Sequence, residues 1–174
     1  RVACVFDLDP AHRESSVRGA RWKSCWPFEL NADPKHDYRQ LQILTDLPTG
    51  SNIRLFYDET GKGKTFEYDL AFVNHTCELL ITSACEDADL LEALMAECAK
   101  GSWFGKIEGE DERVYAALDA CNWDLKDKLK ARFAANYLLA IEKSKGENAL
   151  ILERQLRQNL RSGKQQGFIV PDHI

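Results

Sequence analysis

VACVFDLDPAH, residues 2–12, sets two aspartates one residue apart at the point where an apolar run stops. Val2 to Phe6 is continuous, apolar and rich in β-branched or aromatic residues, the pattern of a strand buried on both faces of a parallel sheet. Pro10 is expected to end it. If strand alternation continues through the aspartates, Asp7 and Asp9 lie on one face, about 7 Å apart at roughly 3.3 Å per residue. Carboxylates at the carboxyl end of a parallel strand sit where open α/β sheets bind ligands, and hard oxygen donors suit Mg²⁺ or Mn²⁺. One ion, or two sharing bridging ligands, would fit beside them. In the plainer reading the two aspartates only punctuate the turn before Pro10.

The rest of the chain narrows the setting of that strand. With 174 residues and 44% hydrophobic content it can bury one sizeable core, so one globular domain with a helical annex is expected. No apolar run reaches the roughly 18 residues of a membrane span, and no signal-peptide succession is present. Cys4, Cys25, Cys77, Cys85, Cys98 and Cys121 contain no CxxC pair, which argues against a zinc site or a disulfide scaffold and for reduced thiols in a cytoplasmic protein. A formal charge of −5 argues against a wholly basic nucleic-acid module but permits a local cationic groove. The chain opens on Arg1, one residue before a core strand, and is expected to be a piece of a longer protein.

Residues 11–40 carry Trp22, Trp26, Pro27 and Pro34 without a clean period and read as a long loop or insertion with short helical turns. Arg13, Arg18, Arg21 and Lys23 alternate there with Trp22 and Trp26, a pattern that can track phosphates while an aromatic stacks, or equally a solvated face with inward tryptophans. Ile53 to Tyr57 predicts a second strand, Thr65 a cap for a helix through EYDLAFVN, and Leu79 to Ile81 a short strand or helix. From residue 87 to 163 the chain reads as mostly helical. One helix runs from Asp87 to Lys100 and stops at Gly101, and another spans Asp111 to Cys121. Leu125, Leu129, Phe133, Tyr137 and Ile141 recur every fourth residue, as one buried helical face requires. Ser144 and Glu147 read as a capping box for a last helix lined by Ala149, Leu152, Leu156 and Leu160 and stopped by Gly163.

Two motifs compete for the aspartates and the glycines. Haloacid-dehalogenase-like phosphatases place DxD after an apolar strand, with the first Asp as nucleophile and the second as acid and base. Their motif continues with Thr or Val two residues later, whereas Ala11 and His12 follow Pro10 here. GKGKT, residues 61–65, ends like a phosphate-binding loop, but G-x-x-x-x-G-K-T needs glycine where Asp58 stands, and a carboxylate there would oppose phosphate. An ATP site is therefore rejected, and these glycines and lysines read as a mobile solvated loop.

Further segments extend the pattern. KTFEYDLAFVN (64–74), KSKGENALILERQLRQN (143–159) and the ending FIVPDHI follow the DxD strand in order. Together they resemble the C-terminal half of OLD-family nucleases (overcoming lysogenisation defect), in which an ATPase domain is joined to a metal-dependent Toprim domain. The resemblance covers nearly all of the chain. It implies an α/β Toprim-like domain, a mainly parallel sheet flanked by helices with a helical C-terminal part, in a larger ATPase-nuclease that cleaves or nicks DNA and acts in phage defence. Oligomers through the parent protein are compatible with it. A glutamate strand upstream of the DxD and the ATPase domain are also implied, and neither lies within this chain.

Position by position, the resemblance makes Asp7 and Asp9 ligands of the catalytic Mg²⁺ or Mn²⁺, with two metals possible. Glu67 becomes a third acidic ligand or a group that positions one; as a first-turn carboxylate it also suits the helix dipole. Asp69 reads as structural. Lys145 matches the lysine that reaches the active centre, where it would stabilise charge on the phosphate. A cation in the first turn after Ser144 is disfavoured by the dipole unless an anion lies nearby, which supports the same role. A phosphatase and a non-catalytic binding or assembly module remain the alternatives.

Overall fold

The computed structural model describes residues 2–5, 7–13, 22–30, 36–38, 53–56, 58–163 and 167–172. Strand β1 (Val2–Val5) pairs in parallel with β5 (Ile53–Phe56), Val2 opposite Ile53 and Val5 opposite Phe56. Parallel neighbours need a long crossover. The chain between them supplies it and carries a second sheet of its own: β2 (Pro10–Arg13), β3 (Trp22–Ser24) and β4 (His36–Tyr38), antiparallel in the order β3-β2-β4. Of the long loop or insertion with short helical turns expected over residues 11–40, the described part carries strands instead of being mostly loop. Among its described residues, Pro27–Glu29 makes the one helical turn, a 3₁₀ one. Strands of three or four residues are too short to show a period, and Pro10 occupies the first position of its strand, where the missing N–H is tolerated.

The α/β class holds, with the greater part helical. Among the described residues the parallel pairing is that of β1 with β5, and the larger sheet is antiparallel. Helix α1 (Phe66–Val73) starts at Thr65, whose hydroxyl accepts from the Tyr68 N–H at 3.4 Å. Helix α2 (Ala88–Lys100) ends on Gly101 at φ +64°, a left-handed cap that glycine adopts without strain. Asp111 caps α3 (Glu112–Ala120) through the Val114 N–H, and Asp124 caps α4 (Leu125–Ala140) through the Asp127 N–H. Leu79 to Ile81 is not a strand; Glu78–Leu80 forms a 3₁₀ turn that buries Leu80.

Helix α4 packs against α1, α2 and α3 at once. The four-residue stripe is buried from Leu129 through Phe133 and Tyr137 to Ile141, while Leu125 at its start is 48% exposed. Burial does not stop at the stripe, because Ala131, Ala134 and Ala135 are small enough for neighbours to close on the other faces. Arg132, 1% exposed, is held by both Glu110 carboxylate oxygens at 2.6 Å, by Glu97 at 2.7 Å and by the Gly105 carbonyl. Its guanidinium lies against the rings of Trp103 and Tyr115. Five donors in a fixed fork make arginine the cation that can satisfy two buried carboxylates.

Helix α5 (Lys145–Arg161) begins where expected but not by the expected cap. The Ser144 hydroxyl donates to the Ala84 carbonyl at 2.7 Å and makes no capping bond within the helix. Its inner face runs through Asn148, Leu152 and Leu156, not through Ala149 or Leu160, the latter 80% exposed. Among the described residues no helix is long and apolar enough to cross a membrane, and Cys25, Cys77, Cys85, Cys98 and Cys121 are free thiols.

Candidate functional site

Beyond β1 the chain runs Asp7, Leu8, Asp9. Leu8 is fully buried and both aspartates are exposed, so the apolar residue anchors the segment while its neighbours face outward. Strand alternation is not the reason, contrary to expectation. Asp9 has φ +41°, in the left-handed region that aspartate enters more readily than most residues. Two bonds then tie the segment to the start of α1: the Phe66 N–H donates to Asp7 Oδ1 at 2.9 Å, and the Asp9 N–H donates to the Lys64 carbonyl at 3.0 Å. Asp7 thereby satisfies a first-turn amide that would otherwise lack an acceptor.

The GKGKT segment is not a solvated loop. Its amides wrap the Asp58 carboxylate, which accepts from Thr60 N–H (3.0 Å), Thr60 hydroxyl (2.7 Å), Lys62 N–H (3.0 Å) and Gly63 N–H (2.5 Å). The nest that a nucleotide-binding loop would offer to phosphate is filled by the chain's own anion. Gly63 has no room for a side chain, since a Cβ would stand 2.7 Å from Asp58 Cβ and 3.0 Å from Asp69 Oδ1. Lys62 pairs with Asp127 and lies over the Trp123 ring. Lys64 turns inward and is only 7% exposed.

Across from this loop stands the start of α5. Lys145 Nζ lies 3.6 Å from Glu67 Oε2, joining the first turns of α5 and α1. The position of α5 is set by buried polar bonds: Thr82 hydroxyl to Asn148 Oδ1 at 2.6 Å, and Asn148 Nδ2 to the Tyr137 hydroxyl at 2.7 Å. Between the two sides opens a cavity of about 410 Å³, lined by Asp9, Ser24, Lys64, Thr65, Arg113 and Lys145 among others.

The four residues singled out from sequence stand in different relations to the cavity. Asp9 and Lys145 line one cavity, Lys145 contacts Glu67, and the field at Asp7 includes Asp9, Glu67 and Lys145. The Asp7 pKa is raised, first by partial desolvation and then by the Asp9 and Glu67 charges, against the Phe66 N–H and Lys145, which lower it. Burial pushes Asp69 up to about 7, with Asp58, Asp7 and Glu67 adding to the shift and the Lys64 N–H, 2.9 Å away, opposing it. Burial also lowers Lys64, while the Asp9 charge works the other way.

A divalent ion has oxygen donors here. Asp7 and Asp9 are both exposed, and the Asp9 and Glu67 charges, which a cation would offset, add to the desolvation that raises Asp7. Among the described residues no group of three or more His, Cys, Asp or Glu side chains is placed to hold a metal ion. Mg²⁺ commonly takes one or two carboxylates from a protein and fills its octahedron with water and phosphate.

Sequence reasoning missed Lys64 and Arg113. Lys64 could have been noticed as the residue before a helix cap, a place fixed by its neighbours, whereas Arg113 had no signal; its two bonds to Glu29 at 3.0 and 3.1 Å join segments far apart in the chain. Of the residues suggested for phosphate tracking, Arg18 and Arg21 and the side chains of Arg13 and Trp22 lie outside the described residues. Lys23 is exposed, and Trp26 is buried, stacked on Phe28 at 5.8 Å between ring centroids. Compared with protein-family models, curated proteins and solved structures, the chain matches none.

Proposed function

We propose that this chain is a divalent-metal-dependent DNA endonuclease or nickase that hydrolyses phosphodiester bonds, of the Toprim type found in OLD-family ATPase-nucleases. One observation carries the reading: Asp9, after the end of β1, and Lys145, in the first turn of α5, line one cavity with further cations, Lys145 pairs with Glu67 in the first turn of α1, and Asp7 lies within the field of all three. The β1–β5 pair followed by α1 would be the part of the Toprim sheet that bears the site. A joined ATPase domain, assembly through it and a role in phage defence belong to the same proposal.

Asp7 and Asp9 would hold Mg²⁺ or Mn²⁺, with Glu67 within reach of the same charge. Such an ion, when bound, would supply Lewis-acid polarisation of the phosphate and acidification of a nearby water. The chain's own groups do the rest. Leu8 and the two bonds to Phe66 N–H and Lys64 C=O fix the aspartates before substrate arrives, so little reorganisation remains. Glu67 holds the Lys145 ammonium at the cavity edge, where it meets negative charge growing on the phosphate oxygens. Half-exposed lysine retains enough freedom to exchange Glu67 for that phosphate.

Replacing Lys145 by alanine in the full-length protein tests the assignment. Nicking of supercoiled plasmid should fall about 10² to 10³-fold, the usual effect of removing a transition-state charge partner. Stability should stay within about 0.5 kcal/mol, since the Glu67 pair is partly exposed. Undiminished nicking by the folded variant would remove Lys145 from the chemistry.

A further inference from the structure

Lys64 is a buried cation whose described surroundings hold no matching anion. Its ammonium donates to Ser24 Oγ at 2.6 Å and to the Cys25 carbonyl at 2.7 Å, both neutral, and lies over the Trp26 ring at 5.1 Å. Among the described residues no carboxylate comes within ion-pair distance of it. Asp9 and Glu29 act on it only through space. The other cations lining the cavity are matched: Lys145 by Glu67 and Arg113 by Glu29.

Burying an ammonium against neutral acceptors costs several kcal/mol, and an apolar side chain of similar length would pack there without that cost. The backbone of Lys64 is also locked at both ends, its N–H on Asp69 Oδ1 and its C=O on the Asp9 N–H. The charge is thus preorganised at the wall of a cavity whose volume, about 410 Å³, lies within the range of small-ligand sites. It stands next to the aspartate proposed to hold metal.

We infer that Lys64 anchors a phosphate of the bound nucleic-acid strand in this cavity, opposite Lys145, so that the phosphodiester is bracketed by a buried fixed cation and a mobile one. The inference rests on the nuclease reading. Lys64 is a positioning residue: it fixes the strand in register with Asp9, while Lys145 answers the charge that develops in reaction. Ser24 and Thr65, which line the same cavity, offer hydroxyls to the phosphate oxygens.

The test is binding without catalysis. Affinity of a labelled single-stranded oligodeoxynucleotide is measured in EDTA over a range of salt, for the wild-type protein and Lys64→Met. The variant should bind on the order of tenfold more weakly, and its slope of log K against log salt should shrink by about 0.7, the value for one contact on a single strand. Its urea midpoint should be unchanged or higher, because a buried charge has been removed. Unchanged affinity and slope overturn the inference, and a fall in stability with intact binding assigns Lys64 to a structural strut instead. If Lys64→Met does not fold, lysine ammonium NMR of the wild-type protein decides. The Lys64 resonance should move with inorganic phosphate and not with chloride at equal ionic strength, and an unmoved resonance overturns the anchor. Because the binding assay contains no metal, it is read separately from nicking: unchanged binding by Lys64→Met overturns the anchor while metal-dependent nicking by the wild-type protein still speaks for the nuclease reading. Failure of nicking with the binding effect intact would strike the nuclease reading alone.

Discussion

Replacing Asp58 by alanine removes the acceptor around which residues 60–63 are wound, and the cost can be worked donor by donor. Gly63 is buried, so its N–H, now without a partner, costs about 1 to 3 kcal/mol. The Lys62 N–H is partly exposed and contributes nearer the lower end, about 1 kcal/mol. Thr60 is exposed, and water can replace the carboxylate at its N–H and hydroxyl at little cost. A partial offset comes from Asp69, whose pKa the Asp58 charge helps to raise. The net expectation is a loss of about 2 to 3 kcal/mol, which for a chain of this size lowers Tm by about 5 to 10 °C. Urea unfolding followed by tryptophan fluorescence should show the midpoint falling by roughly 1 M. The damage should also reach the site, since the loop delivers Lys64 to the cavity and Thr65 to the start of α1. Gly63→Ala attacks the same loop from the other side, with a Cβ only 2.7 Å from Asp58 Cβ, and should cost about 1 to 3 kcal/mol. A change below about 0.5 kcal/mol in both variants would refute the idea that Asp58 organises the loop.

Two further outcomes test the scaffold. Arg132→Met strands Glu97 and Glu110 in the interior and should cost about 3 to 5 kcal/mol in urea unfolding, narrowing in acid, where the stranded carboxyls can take protons; a loss under 1 kcal/mol would mean the network is not needed. Burial alone would raise the Asp127 pKa, but the Lys62 and Lys130 charges outweigh it and the net shift is downward. The stability it contributes is therefore present above the unfolded carboxyl pKa of about 4 and lost as pH falls through the lower folded value. Asp127→Asn should flatten the acid limb of stability against pH, and an unaltered limb would contradict the pairing.

Much of the helical part was legible because the helices carry their own punctuation. Thr65, Asp111 and Gly101 mark ends that depend only on nearby backbone amides and carbonyls, and the structure places them there. Ser144 shows where such reading fails: its hydroxyl finds a distant carbonyl, that of Ala84, before any amide of its own helix. The strands β2, β3 and β4 were illegible, being defined by pairing across long intervals and not by any pattern within three or four residues. Helix α4 gave its stripe but not its burial on all sides, which depends on what packs against its alanines. At the site, Asp7 and Asp9 were visible from their place after an apolar run, and Lys145 from its place in a first turn. Lys64 was hidden by composition, since a lysine in a glycine- and lysine-rich run reads as solvated until the fold turns it inward.

The measurement that bears most directly on the proposed function is the nicking of supercoiled plasmid by the full-length protein in Mg²⁺ or Mn²⁺, compared with the Asp7→Asn/Asp9→Asn double variant. The substitutions keep size and, at Asp7, an acceptor for the Phe66 N–H, so the fold should persist while the paired negative charge is gone. The account predicts metal-dependent nicking that EDTA abolishes and that the folded double variant lacks. Nicking that is undiminished in the folded variant would contradict it.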